Sequence, residues 1–486
     1  MTPDANDLCV FAIKRGDICK KEIYCNLLYP FYISLMDRYH NSPYYSGSMS
    51  KYLYVNPKTD CTGLLDTTSV SFVPMTNIKE QSNIVEYDIV PYSSVKKGFT
   101  IFKKGDMIWA KITPCMQNGK SCIVEDMPTE VGFGSTEFHV IRKKTDQVYM
   151  PFIWSIFSND NVLKAAQAVF SGSAGQQRVS QSFLENFPCV VPDYDIQVAL
   201  TSRLELALLN KKQKLKQAEK VRDNSILELE SALNLSFCKA EQELFSYVCL
   251  ENIKRNSTKR IDPKCYSVKF KKIRSAIDCS NYPKFKLRDL ILDITGGDWG
   301  YEPEAEKENC QKCLVLRATE ISNKDNIEIR EDKAQYRQID KKKLTAMNVE
   351  IGDIIIEKSG GSIDQPVGRA IYVDQLSYNG YPIAYSNFLT KLKINKNLVD
   401  SYYLFEYLRF VYKIGLTEVM QNQTNGIRNL IIDEFLDQTV IVPPNHYEIG
   451  QKIKAQRLSA CEIEKQAEIE WQAAKEQFEK ELLTEH

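Results

Sequence analysis

A series of segments occurs twice in this 486-residue chain, in the same order and about 250 residues apart. KGDMIWAKITP (104–114) returns as IGDIIIEKSGG (351–361), with Asp106 and Asp353 at an offset of 247. FGSTEFHVIR (133–142) returns as AYSNFLTKLK (384–393), with Phe138 and Phe388 at an offset of 250. The segment VYMPFIWSIFSND (148–160) matches VDSYYLFEYLRF (399–410), and SGSAGQQ (171–177) matches NQTNGIRN (422–429). RVSQSFLENFPCVVP (178–192) matches LIIDEFLDQTVIVPP (430–444); Phe183/Phe435, Leu184/Leu436, Val190/Val442 and Pro192/Pro444 all stand at an offset of 252. So long a period excludes short helical repeats and implies a duplicated domain. The first copy shows no clear counterpart of LRDLILDITGG (287–297).

The residue patterns within each copy predict strands at SFVPMTNI (71–78), after the Gly-Asp turn at 105–106, and at FGSTEFHVIR. They predict a helix over 148–160 and a polar glycine loop at 171–177, followed by an apolar closing strand. Residues 1–70 predict irregular structure with short strands.

A long amphipathic segment follows each copy. Ile196 to Leu233 holds no Gly or Pro, and Leu200, Leu204, Leu208, Leu215, Ala218, Val221, Leu229 and Leu233 recur mostly three or four apart. Ile449, Ile453, Ala460, Ile463, Ala467, Trp471, Ala474, Phe478 and Leu482 repeat the pattern at the C-terminus. One narrow apolar seam on each of two long helices predicts that they pair as a coiled coil, with Leu204, Leu208, Leu215, Val221, Ile453, Ile463, Trp471 and Phe478 in the seam. The plan is globule, helix, globule, helix. Two similar globules held apart by a helix pair suit a ligand with two sites at fixed separation, and duplex DNA is such a ligand.

Composition narrows the class. The 43% apolar and 26% charged content is that of a soluble globular protein, and the length predicts more than one domain. The longest apolar stretch, Asn26 to Met36, is short and holds Pro30, and the N-terminus lacks the form of a signal peptide, so no membrane span is expected. Fourteen cysteines without even spacing predict reduced thiols and a cytoplasmic protein. Net charge is zero, but Lys and Arg cluster at 96–111, 211–222 and 254–274.

The chain resembles the specificity (S) subunits of Type I restriction-modification enzymes, most clearly over 70–234 and 285–484. The resemblance rests on GDMIWAKITP, GFGSTEF, SGSAGQQRVSQSFLENFPCVVP with its trailing helix, KLRDLILDITGGDW (286–299) and SNFLTKLK. It implies an α+β fold: two duplicated α/β target-recognition domains separated by two long antiparallel coiled-coil helices. The expected divisions are 1–193, first target-recognition domain; 194–236, central spacer helix; 237–444, second target-recognition domain; and 445–486, C-terminal spacer helix. Each domain would read half of a split site in double-stranded DNA. The helix pair would dock adenine-methyltransferase subunits and, with them, a restriction/translocase subunit. No cofactor is expected in this chain; S-adenosylmethionine, ATP and magnesium would belong to the partners.

No catalytic set is visible. The only Pro-Pro, Pro443-Pro444, lies in VPPN and does not match the (D/N)PP(F/Y) loop of amino-methyltransferases. Asp106 with Lys111, and Asp353 with Glu357 and Lys358, imitate a metal-nuclease motif, but Ala110 stands where the first copy needs a carboxylate. The Gly-Asp pair reads better as a turn before a core strand. NGKS (118–121) has Pro114 where a phosphate loop needs glycine. Cys310 and Cys313 form a lone CxxC without the further ligands zinc requires, so no metal is expected.

The candidate DNA-facing residues are polar side chains at strand–loop junctions. In the first copy they are Lys111, Thr113, Gln117, Asn118 and Lys120, with Ser173, Gln176, Gln177 and Arg178. In the second they are Lys358, Ser359, Arg369, Gln421, Gln423, Asn425 and Arg428. Gln, Asn and Arg can bond base edges in pairs, while Lys, Ser and Thr suit phosphates. These observations point to a non-catalytic DNA-recognition subunit of a restriction-modification system. The rivals are a recognition subunit of another modification or phage-defence system, and a scaffold that binds proteins or carbohydrates.

Overall fold

The computed structural model describes residues 29–172, 177–235, 248–255, 261, 263–304, 308–322, 326–329, 333–362, 365–424 and 426–484. They gather into two compact units, 1–214 with 465–486, and 215–464. Both divisions fall inside the long helices.

In the first unit the strands are β1 (Tyr45–Ser48), β2 (Leu53–Val55), β3 (Ser69–Val73), β4 (Asp88–Pro91), β5 (Thr100–Lys103), β6 (Met107–Ala110), β7 (Ser121–Ile123), β8 (Val131–Gly134), β9 (Phe138–Lys143) and β10 (Pro188–Val190). Two four-stranded sheets run in the orders β2-β9-β6-β7 and β4-β3-β8-β5, and β1 pairs with β10. β3 and β8 are parallel; the other pairs are antiparallel. Helices Tyr29–His40, Met150–Phe157 and Asp160–Ala168 contribute to the largest core, which also takes in Leu204, Leu208, Trp471, Phe478 and Leu482.

In the second unit β11 (Lys284–Lys286), β12 (Ile291–Gly296), β13 (Cys310–Leu316), β14 (Tyr336–Asp340), β15 (Ile354–Glu357), β16 (Ser359–Gly360), β17 (Ala370–Tyr372), β18 (Ser377–Tyr378), β19 (Tyr381–Tyr385), β20 (Leu389–Ile394), β21 (Gln421–Thr424), β22 (Ile427–Leu430) and β23 (Thr439–Ile441) follow. Their sheets run β12-β20-β15-β17 and β14-β13-β19-β18, with β11 on β23 and a small sheet β16-β22-β21. The first two orders repeat those of the first unit strand for strand, including the parallel pair, here β13 with β19. One strand differs in origin: β5 precedes the Gly-Asp turn, whereas β18 forms a hairpin with β19. The duplication is thus a property of the fold.

The Gly-Asp turn is built alike twice. Gly105 and Gly352 have φ of +85° and +94°, which favours glycine. Asp106 then accepts Lys103 N at 2.7 Å, and Asp353 accepts Glu350 N at 2.9 Å. The strands that follow, MIWA and IIIE, are buried at every residue, as a central strand covered on both faces requires.

Four sequence expectations need correction. FGSTEFHVIR and AYSNFLTKLK are each two strands in different sheets, split by a tight turn at 135–137 and 386–388. The structural partner of Phe138 is Leu389, not Phe388: β6 sets Ala110 opposite Phe138, and β15 sets Glu357 opposite Leu389. A one-residue slip reverses the face of a strand residue, and Phe388 is accordingly 44% exposed while Phe138 is buried. By the same comparison Val190 corresponds to Ile441, since Met49 N bonds Phe187 O and Leu287 N bonds Gln438 O. The first copy also does have a counterpart of LRDLILDITGG: a short 3-10 turn (Met49–Lys51) and β2 pack on β9 as Leu287–Leu290 and β12 pack on β20. Its polar, short sequence, SMSKYLYV, hid it.

The long helices span Tyr194–Ala232 and His446–Leu483. In the first unit they pair through Arg203–Glu481, Lys211–Glu468 at 2.6 Å and Lys214–Glu470 at 2.6 Å. In the second they pair through Arg222–Glu464 at 2.7 Å and Glu228–Lys452 at 2.7 Å. From Arg203–Glu481 to Lys211–Glu468 in the first unit, and from Arg222–Glu464 to Glu228–Lys452 in the second, rising numbers on one helix meet falling numbers on the other, so the pairing is antiparallel. Leu204, Leu208, Ile453, Trp471 and Phe478 are buried as expected. Val221 and Ile463 are half-buried. Leu215 is 38% exposed and is not a seam residue. Ala218 and Ala460 are buried on the two helices. Arg222, Ser225 and Arg457 are buried there too, Arg222 held by Glu464 and Arg457 by Glu406 at 2.7 Å. Among the described residues no helix is long and apolar enough to cross a membrane.

Candidate nucleic-acid interface

Three segments meet at the end of β6. The amide of Lys111 donates to Glu137 O at 2.9 Å, and Lys111 O accepts Val179 N at 2.9 Å. Thr113 N donates to Gln177 O at 3.0 Å, and Arg178 exchanges backbone bonds with Ser171. Lys111, Thr113, Gln177 and Arg178 are therefore gathered at one junction, together with Glu137. The Arg178 guanidinium clasps Glu137 through Nε and Nη2, at 2.9 and 2.7 Å. That bond holds the Glu137 carboxyl below its ordinary range.

His139 lies beneath the junction. Its Nε2 is 3.0 Å from Val179 O and its Nδ1 is 3.0 Å from Asn56 Nδ2. Carbonyl oxygen only accepts and the amide nitrogen only donates, so the proton sits on Nε2. Burial lowers the His139 pKa and favours this neutral form.

The second copy repeats the junction at the end of β15. Lys358 N donates to Phe388 O at 2.9 Å, and Lys358 O accepts Leu430 N at 2.7 Å. Lys358 is the equivalent of Lys111, Phe388 of Glu137, and Asn429 of Arg178. Neither lysine ammonium has a hydrogen-bond or ion-pair partner among the described residues. Ser359 Oγ donates to Asn429 Oδ1 at 2.8 Å, and Gln421 Oε1 accepts Val367 N at 3.2 Å. β21 and β22 form a hairpin that carries Gln421, Gln423 and Arg428, with Gln423 opposite Arg428. Gln423 is exposed, and Arg428 is half-buried without a side-chain partner among the described residues.

Other expected residues sit elsewhere. Gln117 is exposed on the loop after Pro114, and Asn118 donates to Glu80 Oε1 at 2.7 Å. Lys120 and Arg369 are structural equivalents, since Ala110 N bonds Lys120 O and Glu357 N bonds Arg369 O. Both turn inward, which corrects their assignment as DNA-facing. Lys120 Nζ donates to Met75 O at 3.1 Å. Arg369 donates to Ala318 O at 2.8 Å, to Ile321 O at 3.1 Å and to Glu357 at 2.8 and 3.0 Å. Each cation ties the 3-10 turn after β3 or β13 to the central strand. Ser173, Gln176 and Asn425 lie outside the described residues. Sequence reasoning missed Glu137, Phe388 and Asn429. The polar pairs Ser135-Thr136 and Ser386-Asn387 between apolar runs are the turn composition that could have located the first two.

The carboxylates that imitate a nuclease are committed to the fold. Asp106 pairs with Arg142 at 2.6 Å, Asp353 with Lys391 at 3.4 Å, and Glu357 with Arg369. Among the described residues no three His, Cys, Asp or Glu side chains converge as metal ligands.

Residues 10–220 match the family model of the Type I restriction modification DNA specificity domain. The chain is 35% identical over 157 residues to the specificity subunit of the Escherichia coli Type I restriction enzyme EcoAI, which is 32% of this chain and 26% of that protein. It is 36% identical over 146 residues to the EcoEI specificity subunit of the same organism, 30% of this chain and 24% of that one. The matches thus span about a quarter of the length of these relatives. A solved chain from a study of assembly and conformational transition in the type I R-M system aligns with a TM-score of 0.46 at 14% identity, covering 85% of this chain and 92% of that one. The HsdS subunit of Thermoanaerobacter tengcongensis aligns at 0.31 and 14%, covering 86% and 90%. Over residues 10–220, less than half of its length, this chain is thus similar to the Type I restriction modification DNA specificity domain.

Proposed function

We propose that the chain is the DNA-recognition subunit of a Type I restriction-modification system and reads a bipartite duplex site, one part with each copy. The carrying observation is that one backbone junction is built twice, each time at a lysine whose ammonium has no partner among the described residues, and dressed with different side chains. Constant backbone with variable side chains suits sequence reading: the lysines meet phosphates, and Arg178, Gln423 and Arg428 reach base edges. Methyl transfer and cleavage would belong to adenine-methyltransferase and restriction subunits, which bring S-adenosylmethionine, ATP and magnesium. Leu206, Leu209, Leu227, Leu458 and Ile469 are exposed apolar residues on the long helices, and they would supply docking surface for those subunits.

The test is duplex binding by the purified chain as salt is raised. Contact with phosphates by Lys111 and Lys358 predicts a log–log slope of about −2, near −0.9 per contact. Binding that ignores salt, or methyl transfer by the chain alone, would contradict the proposal.

A further inference from the structure

The turn that enters β9 and β20 has one backbone and two chemistries. Phe138 N closes it on Ser135 O at 3.3 Å, and Leu389 N closes it on Ser386 O at 2.9 Å. The third residue is Glu137 in one copy and Phe388 in the other, and its carbonyl is fixed by the lysine amide in both. The two side chains therefore leave the same point of the fold, beside Lys111 or Lys358. Glu137 fixes the guanidinium of Arg178. Phe388 places its ring 44% exposed, on a turn where polar residues are usual, and no other aromatic ring packs on it among the described residues. An exposed ring whose backbone carbonyl is bonded by the amide of Lys358, a lysine with no ammonium partner among the described residues, fits a ligand that offers an apolar group flanked by phosphates. In the major groove that group is the thymine methyl, while an oriented arginine matches guanine.

Resting on the DNA-recognition reading above, we propose that this third turn residue is specificity-determining. Phe388 selects thymine in one half-site by contact with its methyl group, and Glu137 selects guanine in the other by orienting Arg178.

The experiment begins with selection from a randomised duplex pool by the full chain. Failure of the unaltered chain to enrich any sequence would refute DNA recognition itself. On the enriched duplex, each thymine is then replaced by uracil, which lacks only the methyl. One uracil, in one half-site, should weaken binding about fourfold, the worth of one buried methyl group. Phe388→Ala should bind the thymine and uracil duplexes equally, and Phe388→Leu should restore part of the difference. Glu137→Gln should relax a guanine preference in the other half-site by about fivefold or more, the lower end for a paired arginine contact. Thymine discrimination that survives in Phe388→Ala, or a loss in Glu137→Gln that is uniform over all sequences, would overturn the proposal. Both side chains are partly exposed, so these variants retain the fold.

Discussion

Replacing Asp353 by alanine should cost its unit about 3–5 kcal/mol, the range for breaking a buried ion pair, while the equivalent change at Asp106 should cost about 2–3 kcal/mol. The two aspartates hold the same turn, so the difference lies in the cations they leave behind. Lys391 is 1% exposed and keeps one partner, Asn348 O at 2.7 Å. Its ammonium cannot reach water without opening the sheet. The Arg142 side chain is 21% exposed and keeps Thr59 Oγ1 at 3.0 Å, so solvent can take up its charge. Lys391→Met in the Asp353→Ala background should recover most of the loss, because no charge then remains buried. A chain of two units is not expected to unfold in one step, so hydrogen exchange of peptides over β6 and β15 in increasing urea is the assay. Equal losses, or a larger one at Asp106, would refute this electrostatic reasoning.

Leu204→Asp should destabilise the helix pairing by several kcal/mol through burial of a carboxylate, whereas Leu215→Asp should change it little; circular dichroism during thermal unfolding separates the two. Arg369→Ala should cost about 3–5 kcal/mol, because Glu357 is left buried without its cation, and should leave base preference unchanged in a binding selection. His139 has a folded pKa below its ordinary value of about 6.5, so the stability it supports is present above that pH and is lost as pH falls through the lowered value. Exchange protection of β9 should therefore weaken between pH 7 and pH 5, and His139→Gln should flatten that dependence; protection that rises on acidification would contradict it.

Much of the fold was legible because duplication is a comparison a sequence makes with itself. The buried strands announced themselves as MIWA and IIIE, and the long helices by their seams. What escaped was governed by neighbours distant in sequence. The phenylalanines at 138 and 388 share a letter but not a face, since register is set by β6 and β15. Lys120 and Arg369 resemble solvated loop cations, yet carbonyls of a distant turn claim them. Leu215 obeys the helical period but is 38% exposed. At the candidate interface the junction lysines could be named from sequence, whereas turn composition could mark the position of Glu137 but not its role, which lies in Arg178, 41 residues away.

The central claim is that two copies of one domain read two parts of one DNA site. Mapping methylated adenines in cells that express the chain with its methyltransferase subunits tests it most directly. The account predicts a chain-dependent motif of two short blocks at a fixed gap, with Arg178→Ala altering one block and Arg428→Ala the other. A single uninterrupted block, or two blocks altered together by either change, would contradict it.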